Sequence, residues 1–213
     1  MANDLINRIL HIIHEKLRKI NIYFNIDWTT PEEKNVSEWL KNALKNDSDM
    51  LRDVLLENNL IVPDTDATVI RILRWVHDNV SYVSDIKQYR TTEYWATPSE
   101  TLKNGLGDCE DGAVLIYCLC RVAGISNEQV QIIAGGVKSG TGLGGHCWVR
   151  YTSINYPYVI YYIDWCYWYD SSIISKREAY QEYKDSIILP TYTNYKKIWF
   201  IANDESGFKR GEM

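Results

Sequence analysis

Membrane-spanning and secretory patterns are missing from this chain. No run of about 18 apolar residues occurs, and the longest approach to one, residues 156–169, is short and contains Asp164. At the N-terminus, acidic Asp4 precedes the first apolar residues, and neither a long apolar stretch nor a small-residue cleavage site follows. We therefore expect a cytoplasmic protein that makes no membrane contact, with packaging in a virion as the alternative location.

Metal-binding patterns are equally scarce. The five cysteines include no C-x-x-C pair and fit no zinc spacing, and no calcium-loop signature occurs. Without an export signal, the thiols are expected to be reduced. Cys118 and Cys120 lie in an apolar helical run and are interpreted as small core residues. The sequence therefore predicts no metal and no cofactor.

An excess of positive charge is also absent. The net charge is −5 at pH 7, which argues against a nucleic-acid partner, because a nucleic-acid surface needs a basic patch. Gly140-Thr-Gly-Leu-Gly-Gly145 matches the pattern G-x-G-x-x-G, but a strand-like segment follows it where a dinucleotide site needs a helix. We interpret this stretch as a flexible loop that borders the functional site.

Helical periodicity dominates the first half of the chain. Amphipathic patterns cover residues 5–20, 36–59 and 67–80, and a break in the second near residues 46–48 is left open. Pro63 to Asp66 is typical of a turn and helix cap. Residues 89–99 look irregular and are interrupted by Pro98, and residues 106–123 are predicted to turn and enter another helix.

The period changes after residue 123. Segments rich in β-branched and aromatic residues predict antiparallel strands at 129–134, 146–151, 158–165 and 197–202. We interpret most of the 16 tyrosines and 8 tryptophans as sheet packing rather than as a groove for peptide or sugar. Helices first and strands second predict an α+β fold. A mild boundary near residue 60 is expected to separate an N-terminal helical segment, 1–60, from the core, 61–213.

The most informative motif is Asn104-Gly-Leu-Gly-Asp-Cys-Glu-Asp-Gly-Ala113. Its glycines allow a tight entry into a helix that Asp108 can cap, which leaves Cys109 at about the first helical position. The free N–H groups and partial positive charge of a helix start favour a thiolate and can stabilise an oxyanion. The flanking acidic side chains act in the opposite sense, so a nearby cation, most naturally a histidine, is needed. A buried structural cysteine is the alternative interpretation.

His146 is the histidine best placed for that role. It stands where the glycine-rich stretch meets the strand-like segment 146–151, whereas His11, His14 and His77 lie in predicted helices. The pairing with the cysteine motif is what favours a catalytic interpretation of His146, because a lone histidine at such a junction is as often structural.

Asp164 is the favoured carboxylate to orient that histidine. It interrupts the apolar run Tyr161-Tyr-Ile-Asp-Trp165, where an unpaired charge is unfavourable and a hydrogen bond to a histidine offsets the penalty. Asp170 is the competitor, but it precedes a serine pair and is more typical of a turn or cap.

In this order the segments resemble a known family. Gly107-Asp-Cys-Glu-Asp111, Gly145-His-Cys-Trp148 and Tyr162-Ile-Asp164 look like the motifs of the transglutaminase-like superfamily. The branch they resemble most is that of the transglutaminase-like cysteine proteinases of bacteria and their phages. Thr68 to Tyr82 and Glu93 to Leu102 are similar to the segments that precede the cysteine, so the resemblance covers about residues 65–202.

The resemblance implies a papain-like core, in which a helix bearing the nucleophile packs on an antiparallel sheet bearing histidine and aspartate. It implies a triad of Cys109, His146 and Asp164 that attacks an amide or ester carbonyl through a thioester. Trp95 and Gln88 are the candidate second donors to the oxyanion, beside the N–H of Cys109. A packing role is the alternative for Trp95.

Two functions are consistent with these patterns. The first is a cysteine hydrolase or acyltransferase acting on peptide or isopeptide-type amides, with proteolysis or amide hydrolysis favoured over cross-linking because the chain is small. Its partner would be a peptide or protein substrate. The second is a non-catalytic binding or structural module, such as a bacteriophage virion component, whose N-terminal helices dock on a larger assembly.

Overall fold

The computed structural model describes residues 33–139, 142–156, 159–167, 181–183 and 194–209. The helix predicted over residues 5–20 and the alternative carboxylate Asp170 lie outside these ranges. The described residues belong to one compact unit, Glu33–Met213.

Helices fill the N-terminal part of the described chain, as the periodicity predicts. They are α1 (Glu33–Glu57), α2 (Thr65–Asn79), α3 (Asp85–Gln88), α4 (Pro98–Asn104) and α5 (Cys109–Val122). Helix α1 continues through residues 46–48 without a break. The predicted cap of α2 is confirmed, because the Asp64 side chain accepts a hydrogen bond from the Ala67 backbone N–H at 3.1 Å.

The short helix α4 begins within residues 89–99, which the sequence analysis expected to be irregular, and continues beyond them. Thr97 accepts from the Glu100 backbone N–H, and Glu100 accepts from the Thr97 backbone N–H in return, which is a capping box. Pro98 occupies the first helical position, and Gly105 ends the helix with a φ of 62°. The spacing of Thr97 and Glu100 around a proline was the signal that could have predicted this helix.

The described strands form two separate sheets. β1 (Ser81–Tyr82) and β2 (Leu106–Gly107) pair in parallel just ahead of α5. Among the described residues, the larger sheet has the order β6-β5-β4-β3-β7-β8 with antiparallel pairing throughout. Its strands are β3 (Val130–Ser139), β4 (Gly142–Thr152), β5 (Val159–Ile163), β6 (Gln181–Tyr183), β7 (Tyr195–Ala202) and β8 (Gly207–Lys209). The predicted α+β fold with an antiparallel sheet is confirmed.

Helix α5 is the centre of the core. Residues 110–120 of this helix are all buried, including Cys118 and Cys120, which are free thiols packed as the sequence analysis expected. Helices α1 and α2 and strands β3 and β4 contact α5. Leu40, Leu51 and Leu55 of α1 lie in the same apolar cluster, and each such buried leucine stabilises the fold by about 2–3 kcal/mol.

The large sheet buries residues on both faces. Val149 and Tyr151 of β4 point into the α5 cluster, whereas Trp148, Tyr162 and Tyr195 form a second cluster on the opposite face. The rings of the aromatic residues named here are therefore buried in the packing of the sheet, in agreement with the interpretation from the sequence.

The glycine-rich stretch differs from the prediction. It was expected to be a loop, but Gly142–Gly145 belong to β4 and pair with Gly136–Ser139 of β3. Gly135 shows why glycine is needed in this ladder, because a Cβ there would lie 2.0 Å from the Lys197 carbonyl oxygen of β7. The ladder hydrogen bonds of the hairpin outweigh the low strand propensity of glycine.

None of the helices within the described ranges is long and apolar enough to cross a membrane.

Candidate active site

Cys109 is the first residue of α5, as the capping motif predicts. The chain reaches it from α4 through β2, and β1 holds this approach in place. Backbone N–H groups of Ser81 and Val83 donate to the carbonyls of Gly105 and Gly107 at 2.9 Å each. The Asp108 backbone N–H donates to the Asp111 carboxylate at 3.2 Å, which closes the first turn. The thiol is therefore fixed at a helix N-terminus.

His146 and Asp164 lie on neighbouring strands and are joined. β4 pairs with β5 in a register that sets Val149 opposite Ile163, so the residue after β5 lies close to the start of the buried part of β4. His146 Nε2 lies 2.6 Å from Asp164 Oδ2. Since a carboxylate accepts, Nε2 carries the proton in this pair, and Nδ1 is the ring nitrogen left to act as a base.

Further donors fix the Asp164 carboxylate, which is fully buried. The Tyr195 hydroxyl donates to Oδ2 at 2.7 Å, and the Cys166 backbone N–H donates to Oδ1 at 3.0 Å. The sequence analysis missed Tyr195. No local pattern distinguishes it from the other strand tyrosines.

Trp165 connects the carboxylate side of the site to the nucleophile side. It directly follows Asp164, and its indole N–H points to the Cys109 carbonyl oxygen at 3.4 Å. Gly112 on α5 makes room for the ring, because a Cβ there would lie 2.1 Å from the indole nitrogen. This contact brings the chain of Asp164 against the first turn of α5.

The thiol of Cys109 is hydrogen-bonded to an acid. It donates to Glu110 Oε2 at 3.1 Å. Burial raises the pKa of the Cys109 thiol well above its ordinary value, and the charges of Glu110 and Asp108 raise it further. The acidic neighbours therefore oppose a thiolate, as the sequence analysis expected.

An acidic cluster surrounds this thiol: Asp85, Glu93, Asp108, Glu110 and Asp111. Side-chain oxygens of Asp85, Asp108 and Asp111 lie within 4.8 Å of one another, and so do those of Asp85, Glu93 and Glu110. Burial raises the pKa of Asp85 to about 6 and that of Asp111 to about 7, and the Asp108 charge contributes to both shifts. The concentration of carboxylates is electrostatically unfavourable as it stands.

Two oxygens of the acidic cluster have no hydrogen-bond partner in the described part of the chain. They are Oδ1 of Asp85 and Oδ1 of Asp108, and the two residues are 3% and 9% exposed. Burial also raises the pKa of Asp108, and His146 lies close enough for its charge to act against this rise. The sequence analysis noted the acidic side chains that flank Cys109 but did not consider Asp85.

The two candidate oxyanion donors make other contacts. The Trp95 indole N–H donates to Glu93 Oε1 at 3.2 Å, and its ring packs edge-on against Trp39. The Gln88 amide donates to the Tyr89 hydroxyl at 2.8 Å. No hydrogen bond within the described ranges joins either side chain to Cys109, so both assignments stay predictions.

A cavity of about 240 Å³ opens beside His146. Its remaining walls are the β3–β4 hairpin and the ring of Tyr167, which packs 4.9 Å from the imidazole between ring centres. The glycine-rich stretch thus lies next to the histidine.

The family follows from comparison with protein-family models. The model described as the transglutaminase-like superfamily matches residues 59–168, about half of the chain, and this range contains Cys109, His146 and Asp164. The chain belongs to the transglutaminase-like superfamily. A search of curated proteins found no match.

Solved structures share the fold. LapG from Legionella pneumophila aligns with a TM-score of 0.52 and 17% identity, over 81% of this chain and 87% of that one. The EGTA-treated form of the same protein gives 0.53 and 17% over 82% and 86%. Its calcium-bound form gives 0.51 and 16% over 81% and 87%. At this identity the likeness concerns the fold alone.

Proposed function

We propose that the protein is a cysteine-dependent hydrolase that cleaves peptide-type amides. The observation that carries this proposal is the buried pair of His146 and Asp164 at 2.6 Å, attached through Trp165 to the helix start that bears Cys109. Membership of the transglutaminase-like superfamily supports it. Hydrolysis is favoured over acyl transfer to a second amine.

The proposed reaction begins with proton transfer from the Cys109 thiol to Nδ1 of His146. The thiolate attacks the carbonyl carbon, and the N–H groups at the start of α5 stabilise the oxyanion. The C–N bond then breaks, His146 returns the proton to the leaving amine, and a thioester remains on Cys109. Water, deprotonated by His146, attacks the thioester, the C–S bond breaks, and the acid is released while the Cys109 sulfur takes the proton back from His146. Asp164 holds the imidazole in the required tautomer throughout.

A chemical test compares the five thiols of the full chain. We expect limiting iodoacetamide, mapped residue by residue by mass spectrometry, to label Cys109 ahead of the buried Cys118 and Cys120. Substitution His146→Ala should remove this preference, and Cys109→Ala should abolish cleavage of a peptide library. Uniform slow labelling that His146→Ala leaves unchanged would favour the second function, a binding or structural module.

We further propose that a divalent cation occupies the acidic cluster. Calcium prefers carboxylate oxygens, and the unpartnered buried oxygens of Asp85 and Asp108 fit such a ligand. LapG, which shares the fold, has been solved in a calcium-bound form. When bound, the cation would supply positive charge that offsets the carboxylates around Cys109. The sequence analysis predicted no metal, because the cysteines fit no zinc spacing and no continuous calcium loop occurs.

Calcium binding to the chelator-stripped full chain tests this proposal without any activity assay. We expect a calorimetric heat of binding and a rise in melting temperature, equivalent to about 2.7 kcal/mol when free calcium is a hundredfold above Kd. Substitution Asp85→Asn should weaken binding at least tenfold. The matched control is Asp49→Asn, whose carboxylate is 93% exposed and outside the acidic cluster. Equal binding by Asp85→Asn, or none by the unmodified chain at millimolar calcium, would contradict the proposal.

The cellular setting stays a proposal as well. A cytoplasmic location, docking of the N-terminal helices on a larger assembly and a place in a phage virion rest on the sequence alone. Co-sedimentation of the full chain with a purified particle would test the last two.

A further inference from the structure

The cavity beside His146 has no role in the chemistry described so far. Its walls combine apolar side chains with bare backbone: Val137 is buried, Leu143 is half-exposed, and Gly142, Gly144 and Gly145 supply no side chain. The register sets Val137 opposite Gly144. A wall of three glycines opposite a valine leaves room that ordinary strand residues would fill.

Gly144 leaves space at the cavity unfilled. A Cβ built on Gly144 would meet no atom within 4 Å among the described residues. On the opposing strand, a Cβ on Gly136 would already lie 3.4 Å from the Leu143 side chain. A side chain at position 144 could therefore be accommodated sterically, and it would occupy space at the cavity.

The position of the cavity relative to His146 decides which part of a substrate it meets. In the proposed reaction the imidazole gives its proton to the leaving nitrogen, so that nitrogen lies within hydrogen-bond reach of the ring. The residue that contributes the nitrogen must therefore pass His146. Since His146 is itself a wall of the cavity, this residue's side chain is the part of the substrate nearest to it.

The chemistry of the walls indicates what the cavity accepts. Apart from His146, the described lining of the cavity has no ionisable side chain except the phenol of Tyr167, so a charged side chain would lose its hydration without a partner. Its volume is below the roughly 300–1,000 Å³ of sites for whole small-molecule ligands, which suits a single side chain.

We infer that the cavity formed by the β3–β4 hairpin, His146 and Tyr167 is a specificity pocket for one apolar side chain, that of the residue directly after the cleaved bond. This inference rests on the proposed hydrolase function. Val137, Leu143 and Gly144 determine the size of the accepted side chain, and the peptide substrate is apolar at this position.

The test uses random-sequence peptides with blocked amino termini, incubated with the full chain and sequenced by mass spectrometry. Each new amino terminus reports the residue after the cleaved bond directly. We expect leucine, valine and methionine to be enriched at least tenfold over aspartate and lysine. Gly144→Leu should shift the preference to glycine and alanine, and Leu143→Ala should shift it to phenylalanine and tryptophan. Preferences before the cleaved bond should stay unchanged in both.

Controls separate this inference from the function on which it rests. Leu56→Ala removes another exposed leucine, which does not line the cavity, and should leave the profile unchanged. If the unmodified chain yields no more new amino termini than Cys109→Ala, the hydrolase function fails. If the unmodified chain cleaves without apolar enrichment, the specificity pocket is wrong and the hydrolase function stands. The same holds if neither Gly144→Leu nor Leu143→Ala changes the profile. Leu143→Ala provides the answer if Gly144→Leu does not fold.

Discussion

Tyr195 contacts the Asp164 carboxylate that holds the imidazole of His146. Its hydroxyl donates to the same carboxylate oxygen that accepts from the histidine. Removing the Tyr195 hydroxyl leaves the hydrogen bond between His146 and Asp164 intact. It holds the Asp164 carboxylate less firmly and raises the energy of its charged form. Tyr195 is thus a positioning residue rather than a catalytic one, and its contribution should differ in kind from that of Cys109.

We predict that Tyr195→Phe lowers kcat about tenfold and leaves KM within twofold, because a hydrogen bond to a charged group contributes about 1.5 kcal/mol. Steady-state kinetics on a peptide from the library would measure kcat and KM separately. The matched control is Tyr156→Phe, which removes the hydroxyl of an exposed tyrosine. A change confined to KM, or equal effects in both variants, would contradict the positioning role.

Residues of the site differ in how far sequence could predict them. The pairing of His146 with Asp164 was predictable because each residue has a local signal: one stands at a junction of loop-like and strand-like chain, the other is a charge within an apolar run. Tyr195 has none, since a tyrosine in an apolar strand is normally a packing residue. The sheet also places two strands, β4 and β3, between β5 and β7, so no local rule brings Tyr195 to Asp164.

At the scale of elements, helix α5 is anchored at both ends. Its start is held by β1, β2 and Trp165, and its last turns are tied to the turn between β7 and β8. Arg121 contacts the Asp204 carboxylate at 3.0 and 3.3 Å, and Tyr117 also donates to that carboxylate. Burial acts to raise the pKa of Asp204, but the bonds from Arg121 and Tyr117 outweigh it, so the pKa lies below its ordinary value.

This anchor predicts a pH dependence of stability. A carboxyl whose folded pKa is depressed contributes stability above its unfolded pKa, about 3.9, and loses it as the pH falls through the folded value. We therefore expect Asp204→Asn to lower the free energy of unfolding by about 1–2 kcal/mol at pH 7. The difference from the unmodified chain should shrink below about pH 4. Urea unfolding between pH 7 and pH 2.5 would measure it.

The control for this experiment is another aspartate–arginine pair. Asp49 and Arg52 are joined at 2.9 Å on the surface of α1, with side chains 93% and 58% exposed. Asp49→Asn should change stability by less than about 0.5 kcal/mol at any pH, because exposed pairs contribute little. A loss for Asp204→Asn that stays constant down to pH 2.5 would mean that packing rather than ionisation explains it.

Two elements show where sequence analysis misjudged local structure. The glycines at 142–145 read as a loop by propensity alone, yet the ladder with residues 136–139 makes them strand. Helix α4 was missed although its capping box was present in the sequence. Long amphipathic elements such as α1 and α2 were predictable, because their apolar residues recur at helical spacing and are buried on one face.

At the scale of the whole molecule, the acidic cluster is a product of topology. Asp85 comes from α3, Glu93 from the segment before α4, and the other three carboxylates from the start of α5. The parallel pairing of β1 with β2 is what brings the chain after Tyr82 next to the chain before Cys109. Sequence analysis predicted the order of helices and sheet but could not predict this convergence, since two-residue strands carry almost no periodic signal.

Helix α1 belongs to the same folding unit as helix α5. Helix α1 buries Leu40, Leu51 and Leu55 in the cluster around α5, and losing even one such leucine typically costs about 2–5 kcal/mol. A chain that starts at residue 61 would expose the surface of α5 that α1 covers. We therefore expect residues 33–213 to unfold cooperatively within a few degrees of the full chain, and residues 61–213 to lack a cooperative transition.

Thermal unfolding followed by near-ultraviolet circular dichroism would compare the two truncations, and it would test the boundary predicted near residue 60 at the same time. A cooperative transition in residues 61–213 would mean that α1 adds to a core that is already complete, and that the helical segment 1–60 is free to serve another purpose. Loss of the transition in residues 33–213 as well would place essential packing in residues 1–32. With the expected result, cleavage by residues 33–213 would show whether the hydrolase needs the N-terminal segment, and docking on a larger assembly would become the remaining role to test for it.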